Sequence, residues 1–323
     1  MHSMRAVVFQ GHGGTDVISI GDVPVPQVNP GQVRVRVHAA GINRADLLQR
    51  KGGYAAPHGA PADIPGLEFA GEVEAVRATD AWRTGDRVMG LVGGGAQAQL
   101  VTTNADELLR IPEKMSYAEA AAVPEAFLTA YDALVVRGRV AAGERVLIHA
   151  IGSGVGTAAA QIAKQLGATV IGTSRTAGKL ARALIYGVDI GIDTSRERVA
   201  EVVHEPVDVI LDVIGGPALA DNLAVLAPRG RLVLLGFLGG SRTDVDLGPV
   251  LRKRLEIIGT VMRTRDAAER AELVARFAVE MIPLFEHEVL RPVLERVVPA
   301  EQLASVHEAM ERNETFGKIV VTW

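Results

Sequence analysis

The chain has 323 residues, of which 48% are hydrophobic and 22% are charged, a balance typical of a globular protein. Its 34 basic and 38 acidic residues give a net charge of −4 without a dense basic block, which argues against nucleic acid or an anionic membrane as the main partner. There is no cysteine, so disulfides, thiolate nucleophiles and cysteine-based metal sites are excluded.

The length suits two domains, and no apolar run reaches the roughly 18–20 residues that span a bilayer. The first residues lack the features of a signal peptide, so we expect a cytoplasmic protein with no membrane partner.

The N-terminal third has the character of β-structure. Residues 4–9 form a short apolar segment, and residues 33–38 alternate strictly, which places Val33, Val35 and Val37 on one buried face. Residues 87–92 follow a Gly-Asp turn and predict another strand.

The middle of the chain alternates between strands and helices. Strands are predicted at residues 145–150, 169–173, 207–214, 231–237 and 255–262, and helices at 155–166, 178–186, 217–226 and 267–284. This alternation indicates an α/β fold of the Rossmann type, a doubly wound parallel sheet with helices on both faces.

The end of the chain again has the β character of the N-terminal third, with strands predicted at residues 292–298 and 318–323 and a helix between them at 300–311. We therefore predict a first domain split between residues 1–122 and 290–323, and a continuous dinucleotide-binding domain at 123–289.

A glycine turn at residues 149–156, His-Ala-Ile-Gly-Ser-Gly-Val-Gly, joins the first strand and helix of this second domain. A pyrophosphate needs bare backbone amides at a helix N-terminus, so we predict cofactor contacts from Ser153, Gly154, Val155 and Gly156. The alternative is a tight turn that binds nothing.

The end of the following strand indicates which dinucleotide binds. An NAD site usually carries an acid about 20 residues beyond the glycines, whereas this chain has Ser174 and Arg175 there, with Lys179 one turn later. Hydroxyl and cationic groups suit a 2′-phosphate and predict NADPH. The alternative is that Arg175 and Lys179 form a solvated surface.

Several motifs together resemble the medium-chain dehydrogenase/reductase superfamily, and within it the zinc-free quinone oxidoreductases. They are Ala-Ala-Gly-Ile-Asn-Arg-Ala-Asp at 39–46, Pro-Gly-Leu-Glu-Phe-Ala-Gly at 65–71, Gly-Asp-Arg-Val at 85–88, and the glycine turn followed by Gln161. Segments 50–54, 93–99, 124–126, 212–216 and 316–320 are similar to the tumour-suppressor-inducible branch of that family.

This resemblance implies a GroES-like, mostly β first domain and a dinucleotide in the cleft between the domains. It also implies cofactor contacts from Thr129, Gly236, Phe237 and Lys318, and a homodimer formed through strands such as 232–237 or 255–261. Lys318 and Arg263 would reach the phosphates or the substrate mouth, or else be solvated rim charges.

Zinc members of the superfamily carry cysteine at the position of Asn43 and histidine at that of Leu67. Neither ligand is present, and no two histidines have the i, i+4 spacing of a helical metal site. We therefore predict no metal, with Glu68 kept as a structural hydrogen-bonding residue.

Without a metal, hydride transfer needs an electrophilic substrate and hydrogen bonds to its developing oxyanion. A quinone meets the first need, and Asn43, Tyr54 and Ser153 are the predicted catalytic donors. Tyr54 is alternatively a surface aromatic in a turn, and Ser153 alternatively only caps the helix. The alternative functions are an NADPH-dependent reductase of activated C=C bonds and a non-catalytic, crystallin-like NADPH-binding protein.

Overall fold

The computed structural model describes residues 3–323 as two compact units. The first contains the described residues up to Leu128 together with Arg263–Trp323, and the second is Thr129–Met262. These divisions differ from the boundaries expected from the sequence, 122/123 and 289/290. No helix in the described part of the chain is both long enough and apolar enough to cross a membrane.

Strands occupy both ends and the middle of the chain. They are β1 (Ser3–Phe9), β2 (Ile18–Pro24), β3 (Gln32–Ile42), β4 (Glu68–Val76), β5 (Arg87–Leu91), β6 (Leu100–Asn104), β7 (Leu108–Arg110), β8 (Arg145–Ile148), β9 (Thr169–Ser174), β10 (Ile190–Asp193), β11 (Val207–Asp212), β12 (Leu226–Leu234), β13 (Glu256–Gly259), β14 (Leu294–Pro299) and β15 (Lys318–Thr322).

The α-helices are short at the start of the chain and longer in its second half. They are α1 (Arg44–Arg50), α2 (Tyr117–Ala120), α3 (Pro124–Tyr131), α4 (Gly154–Gln165), α5 (Ala177–Ala183), α6 (Val199–Val202), α7 (Gly216–Val225), α8 (Gly248–Lys253), α9 (Ala267–Glu280), α10 (Ile282–Glu286) and α11 (Leu303–Glu311).

The first unit is built on a mostly antiparallel sheet of order β14-β15-β3-β4-β5-β7, with β6 also paired to β3 and a separate β1-β2 pair. The alternating valines of β3 are all buried, at 0–3% exposure, in a core shared with Phe69 and Ile319. The period-two pattern of the sequence therefore correctly identified the buried face.

The second unit is a six-stranded parallel sheet of order β10-β9-β8-β11-β12-β13. Numbered within the unit, this is the 3-2-1-4-5-6 order of a dinucleotide-binding sheet, and strand order reverses direction between β8 and β11. Sequence reasoning missed β10, because its four residues, Ile-Gly-Ile-Asp, give too short a pattern to separate from a loop.

The helix predicted at residues 267–284 is two helices, α9 and α10. The break falls at Met281, because Pro283 cannot continue the hydrogen-bond ladder of the preceding turn. Both helices pack in the first unit: Arg270 donates to both carboxylate oxygens of Glu107, and the rings of Phe127 and Phe285 meet edge to face at 4.9 Å. These interactions explain why residues 263–289 group with the first unit.

Candidate active site

The glycine turn of the second unit connects β8 to α4. Ala150 has the left-handed φ of +51°, and the Oγ of Ser153 accepts a hydrogen bond from the Gly156 amide at 3.0 Å. A Cβ on Gly156 would lie 2.7 Å from the carbonyl oxygen of Ala150, so only glycine fits. Ser153 therefore caps the helix, which is one of the two roles considered for it, and its own hydroxyl hydrogen remains a donor.

Backbone amides at this turn fit the pyrophosphate of a dinucleotide. Gly154 and Val155 lie in the first turn of α4, where no preceding helical carbonyl accepts from their amides, and the helix dipole favours an anion there. The turn follows β8, beside the point where strand order reverses, which is where such sheets bind ligands. The residues predicted from the glycine pattern are thus brought together.

The residues expected to bind a 2′-phosphate lie at the end of β9. The hydroxyl of Ser174 is largely buried and accepts from the Thr176 amide at 3.1 Å, whereas Arg175 is exposed. Asp193 pairs with Ser174 across the sheet, one strand spacing of about 4.8 Å away. Sequence reasoning found no acid here because Asp193 belongs to the missed strand β10.

Three further predicted cofactor residues also lie in the second unit. The Oγ1 of Thr129 is buried and has no hydrogen-bond partner within residues 3–323, so it is able to serve a bound polar group. Gly236 is half-buried and Phe237 is 55% exposed in the loop after β12. A buried hydroxyl without a partner and a partly exposed loop are consistent with a binding role.

A buried polar network supports the framework below the turn. His149 Nε2 lies 2.7 Å from Asn222 Oδ1, and Asn222 Nδ2 donates to Asp212 at 3.0 Å. Because the Asn222 oxygen accepts, His149 carries its proton on Nε2, and Nδ1 accepts from the Thr173 hydroxyl at 2.9 Å. His149 is therefore a packed structural residue whose two ring nitrogens are both bonded within the protein.

In the first unit, Lys318 is buried beside Glu68 and Asn43. Its Nζ lies 2.5 Å from Glu68 Oε1, 2.5 Å from Asn43 Oδ1 and 2.8 Å from the carbonyl oxygen of Ile42. An ammonium has three hydrogens, and all three are used here. Lys318 is therefore the counter-ion of Glu68, and its contact with the cofactor stays a prediction.

Asn43 bridges the same group. Its Nδ2 donates to Glu68 Oε1 at 2.9 Å, and its Oδ1 accepts from Lys318, so one amide hydrogen is left for a substrate. Glu68 is fully buried, and its Oε2 accepts from the backbone amide of Glu125 at 2.8 Å. A Cβ on Gly41 would lie 2.3 Å from Glu68 Oε1, so the tight packing of β3 against this carboxylate requires glycine.

Asp46 is a second buried carboxylate in this region. It accepts from the backbone amides of Asn43 at 2.7 Å and Gly66 at 3.2 Å. Burial raises the pKa of Asp46 to about 6, an effect larger than the opposing pull of those amides and of Lys318. The carboxyl therefore holds its proton over part of the acidic range.

Tyr54 lies in the loop after α1, half-buried under the guanidinium of Arg263, whose Cζ is 4.1 Å from the ring centroid. Burial and then the charge of Glu125 raise the pKa of the phenol, so Tyr54 stays a donor at neutral pH. Arg263 Nη2 donates to the Gly93 carbonyl at 3.1 Å, while its Nε and Nη1 are buried with no partner in the described chain. Tyr54 is thus part of a packed polar group and not an isolated surface aromatic.

Sequence reasoning missed Glu125, whose carboxyl belongs to the same region. It follows Pro124 at the start of α3 and its backbone is held by Glu68. In the sequence, Glu125 appears only within segment 124–126 of the family resemblance. An acid in the first turn of a helix is ordinarily explained by the helix dipole, so its position alone did not indicate a functional role.

The donor set near Glu68 does not suit zinc. Asn43 and Leu67 stand where ligands would be needed, and the Glu68 carboxylate is already paired with an ammonium. Within residues 3–323, no three His, Cys, Asp or Glu side chains are arranged so as to hold a metal ion.

Comparison with known proteins agrees with this architecture. The model of the alcohol dehydrogenase GroES-like domain matches residues 29–113, and that of zinc-binding dehydrogenases matches residues 154–278. A quinone oxidoreductase of Pseudomonas aeruginosa is 33% identical, covering 98% of this chain and 99% of its own length. The mouse (Mus musculus) synaptic vesicle membrane protein VAT-1 homolog-like is 31% identical over 98% of this chain and 80% of its own length.

A solved structure gives the same result. The quinone oxidoreductase of Pseudomonas syringae pv. Tomato DC3000 is similar with a TM-score of 0.89 at 28% identity, covering 99% of this chain and 100% of that one.

Proposed function

Because this chain belongs to the quinone oxidoreductase branch of the medium-chain dehydrogenase/reductase family, a family of pyridine-nucleotide-dependent oxidoreductases, we propose that it reduces a quinone with NADPH without using a metal ion. The observation that carries the proposal is the pair Tyr54 and Arg263. The phenol and the N–H bonds of two unpartnered guanidinium nitrogens, Nε and Nη1, provide hydrogen-bond donors for a substrate oxygen.

The second unit supplies the cofactor site in this proposal. The amides of Gly154 and Val155 bind the pyrophosphate, Arg175 and Lys179 the 2′-phosphate, and Thr129 the carboxamide of the nicotinamide. When bound, the reduced nicotinamide supplies a hydride. Asp193 lies on the strand beside Ser174, and its negative charge would repel a 2′-phosphate bound there. We therefore expect the preference for NADPH over NADH to be moderate.

The first unit supplies the groups that act on the substrate. Tyr54 donates to the quinone oxygen as negative charge develops on it, and the adjacent cation of Arg263 stabilises that charge in a partly dry environment. Asn43 contributes at most its one remaining amide hydrogen. Lys318 and Glu68 hold Asn43 in place and take no part in proton transfer.

Steady-state oxidation of NADPH tests the proposal, with an ortho-quinone compared against an alkenal of similar size. We expect turnover with the quinone, and a fall in kcat of about tenfold or more in Tyr54→Phe and in Arg263→Gln, because each removes an oxyanion donor. Tyr117→Phe is the matched control, since its hydroxyl is bonded to Glu72.

The other outcomes separate the alternatives. Turnover with the alkenal alone would indicate a reductase of activated C=C bonds. Binding of NADPH without turnover of either substrate would indicate the non-catalytic function.

We also propose that the protein is a homodimer formed through the edge strand β13. This strand ends the parallel sheet, and Ile257 and nearby Val261 are each 42% exposed, which suits edge-to-edge pairing with a second copy. Light scattering should give twice the chain mass of 34.2 kDa, and Ile257→Lys should halve it.

A further inference from the structure

Glu125 carries a carboxyl group that the proposed reaction does not yet use. It is the second residue of α3, it is half-buried, and its backbone amide is held by Glu68 Oε2 at 2.8 Å. Its own carboxylate makes no hydrogen bond or ion pair with any residue that the structure describes. The helix therefore fixes its position while the acid itself has no dedicated partner.

The charged groups that face Glu125 come from four other elements. They are Asp46 on α1, Glu68 on β4, Lys318 on β15 and Arg263 between β13 and α9. Both cations interact with other groups. The Lys318 ammonium is bonded to three acceptors, and the Arg263 guanidinium stacks on the Tyr54 ring and donates to the Gly93 carbonyl.

Three carboxyl groups therefore share a region with two occupied cations, so retaining a proton there is favourable. Burial, followed by the charge of Glu68, raises the pKa of Glu125 to about 7, against the opposing effect of Lys318. Glu125 is thus half-protonated near neutral pH, which is the condition that suits a group exchanging protons in that range.

Tyr54 is the neighbour that connects Glu125 to the substrate. The two residues are close enough for the charge of Glu125 to raise the pKa of the phenol. They form no direct hydrogen bond, so a proton passing between them needs bridging water. The loop that carries Tyr54 has exposed glycines at positions 52 and 53, which leaves a route for solvent.

We propose that Glu125 is the proton reservoir of the reduction and restores the Tyr54 hydroxyl after that hydroxyl has protonated the substrate oxygen. This inference rests on the proposed function. Glu125 acts only through Tyr54, so it is a positioning residue and not a catalytic one.

The atoms and charges of this sequence balance. The quinone receives a hydride from the cofactor and a proton from Tyr54, which breaks the phenol O–H bond and gives the hydroquinone. The carboxylic acid of Glu125 then loses its proton, through water, to the phenolate. The resulting carboxylate takes a proton from solvent, so the net reaction consumes one hydride and one proton per quinone.

The test is the pH dependence of kcat with saturating NADPH and 1,2-naphthoquinone. In the wild type, kcat should be constant below about pH 6 and fall above a midpoint near the pKa of about 7. Glu125→Gln should lower kcat at pH 6 by about tenfold and remove the pH-dependent fall, because an amide supplies no proton. Tyr54→Phe should remove it as well.

Glu125→Asp and Glu272→Gln complete the set of variants. The aspartate keeps an acid in place, so it should preserve a pH-dependent fall with a shifted midpoint. Glu272 is an exposed glutamate of α9, and replacing it should leave the wild-type profile unchanged. Tryptophan fluorescence checks folding, and if Glu125→Gln does not fold, an unshifted midpoint in Glu125→Asp overturns the inference.

Three further results would overturn it for different reasons. If the wild type reduces no quinone, the proposed function and this inference both fail. If quinone reduction persists and Glu125→Gln keeps the wild-type midpoint, only this inference fails. A fall that disappears in Asp46→Asn and remains in Glu125→Gln would assign the proton to Asp46 instead.

Discussion

Replacing Lys318 with methionine measures how much the buried ion pair with Glu68 stabilises the first unit. Lys318 is 5% exposed and Glu68 is fully buried, so the variant leaves a carboxylate without its cation in a dry region. Removing one partner of such a pair costs about 3–5 kcal/mol. Glu68 keeps two donors, from Asn43 and the Glu125 amide, so we expect about 3 kcal/mol.

The first unit can be followed on its own by fluorescence, since both tryptophans of the chain, Trp82 and Trp323, belong to it. Urea unfolding monitored in this way should show a lower midpoint. With a slope of about 2 kcal/mol per molar, a loss of 3 kcal/mol lowers the midpoint by roughly 1.5 M.

A control and a double variant make the result decisive. Lys51→Met removes an exposed lysine that pairs with Glu311, and it should cost less than about 1 kcal/mol. Adding Glu68→Gln to Lys318→Met removes the isolated charge and should recover about 2 kcal/mol. A Lys318→Met midpoint no lower than that of Lys51→Met would refute the reasoning.

Four further predictions follow from the same geometry. Arg175→Ala with Lys179→Ala should weaken NADPH binding at least tenfold more than NADH binding in a fluorescence titration, and equal losses would contradict the 2′-phosphate site. Asp193→Asn should tighten NADPH binding by about threefold at low salt, and the gain should shrink as salt is added. Asn222→Leu leaves its buried histidine and aspartate partners unsatisfied, so the thermal transition of the second unit by circular dichroism should reflect a loss of about 2–4 kcal/mol. Finally, the folded state binds the Glu125 proton more tightly than the unfolded chain does, so Glu125 should lower the stability of the first unit by roughly 2–3 kcal/mol as pH rises from about 4.5 to 7. In urea titrations Glu125→Gln should remove this part of the fall and leave the part due to Asp46, whose pKa is also raised.

Local sequence patterns predicted the parts of the fold that depend on local interactions. The alternation of Val33, Val35 and Val37 identified a buried strand face, and the glycine turn identified the start of α4 to within one residue. Each of these features is set by neighbours a few positions apart, so it is visible in the sequence.

The polar groups of the site depend on pairings that the sequence does not display. Lys318 and Asn43 are 275 positions apart, and only the register of β15 against β3 brings them together. Asp193 was missed for a similar reason, since its relation to Ser174 exists only once β10 has joined the sheet. Lysine is mostly exposed in folded proteins unless it is paired, so composition alone would not assign Lys318 to the core.

The position of β15 also affects how the protein is made. β15 lies between β14 and β3, one place in from the edge of a sheet whose other members, except β14, are synthesised far earlier. The second unit is one continuous stretch, so it can emerge complete from the ribosome while β3, which was made earlier, still lacks its neighbour β15. At about 5–20 residues per second, the interval between the synthesis of Leu128 and that of β15 lasts roughly 10–40 s. During that interval the open edge of β3 is available to chaperones or to mispairing, so slow translation in the second half should favour aggregation of nascent chains.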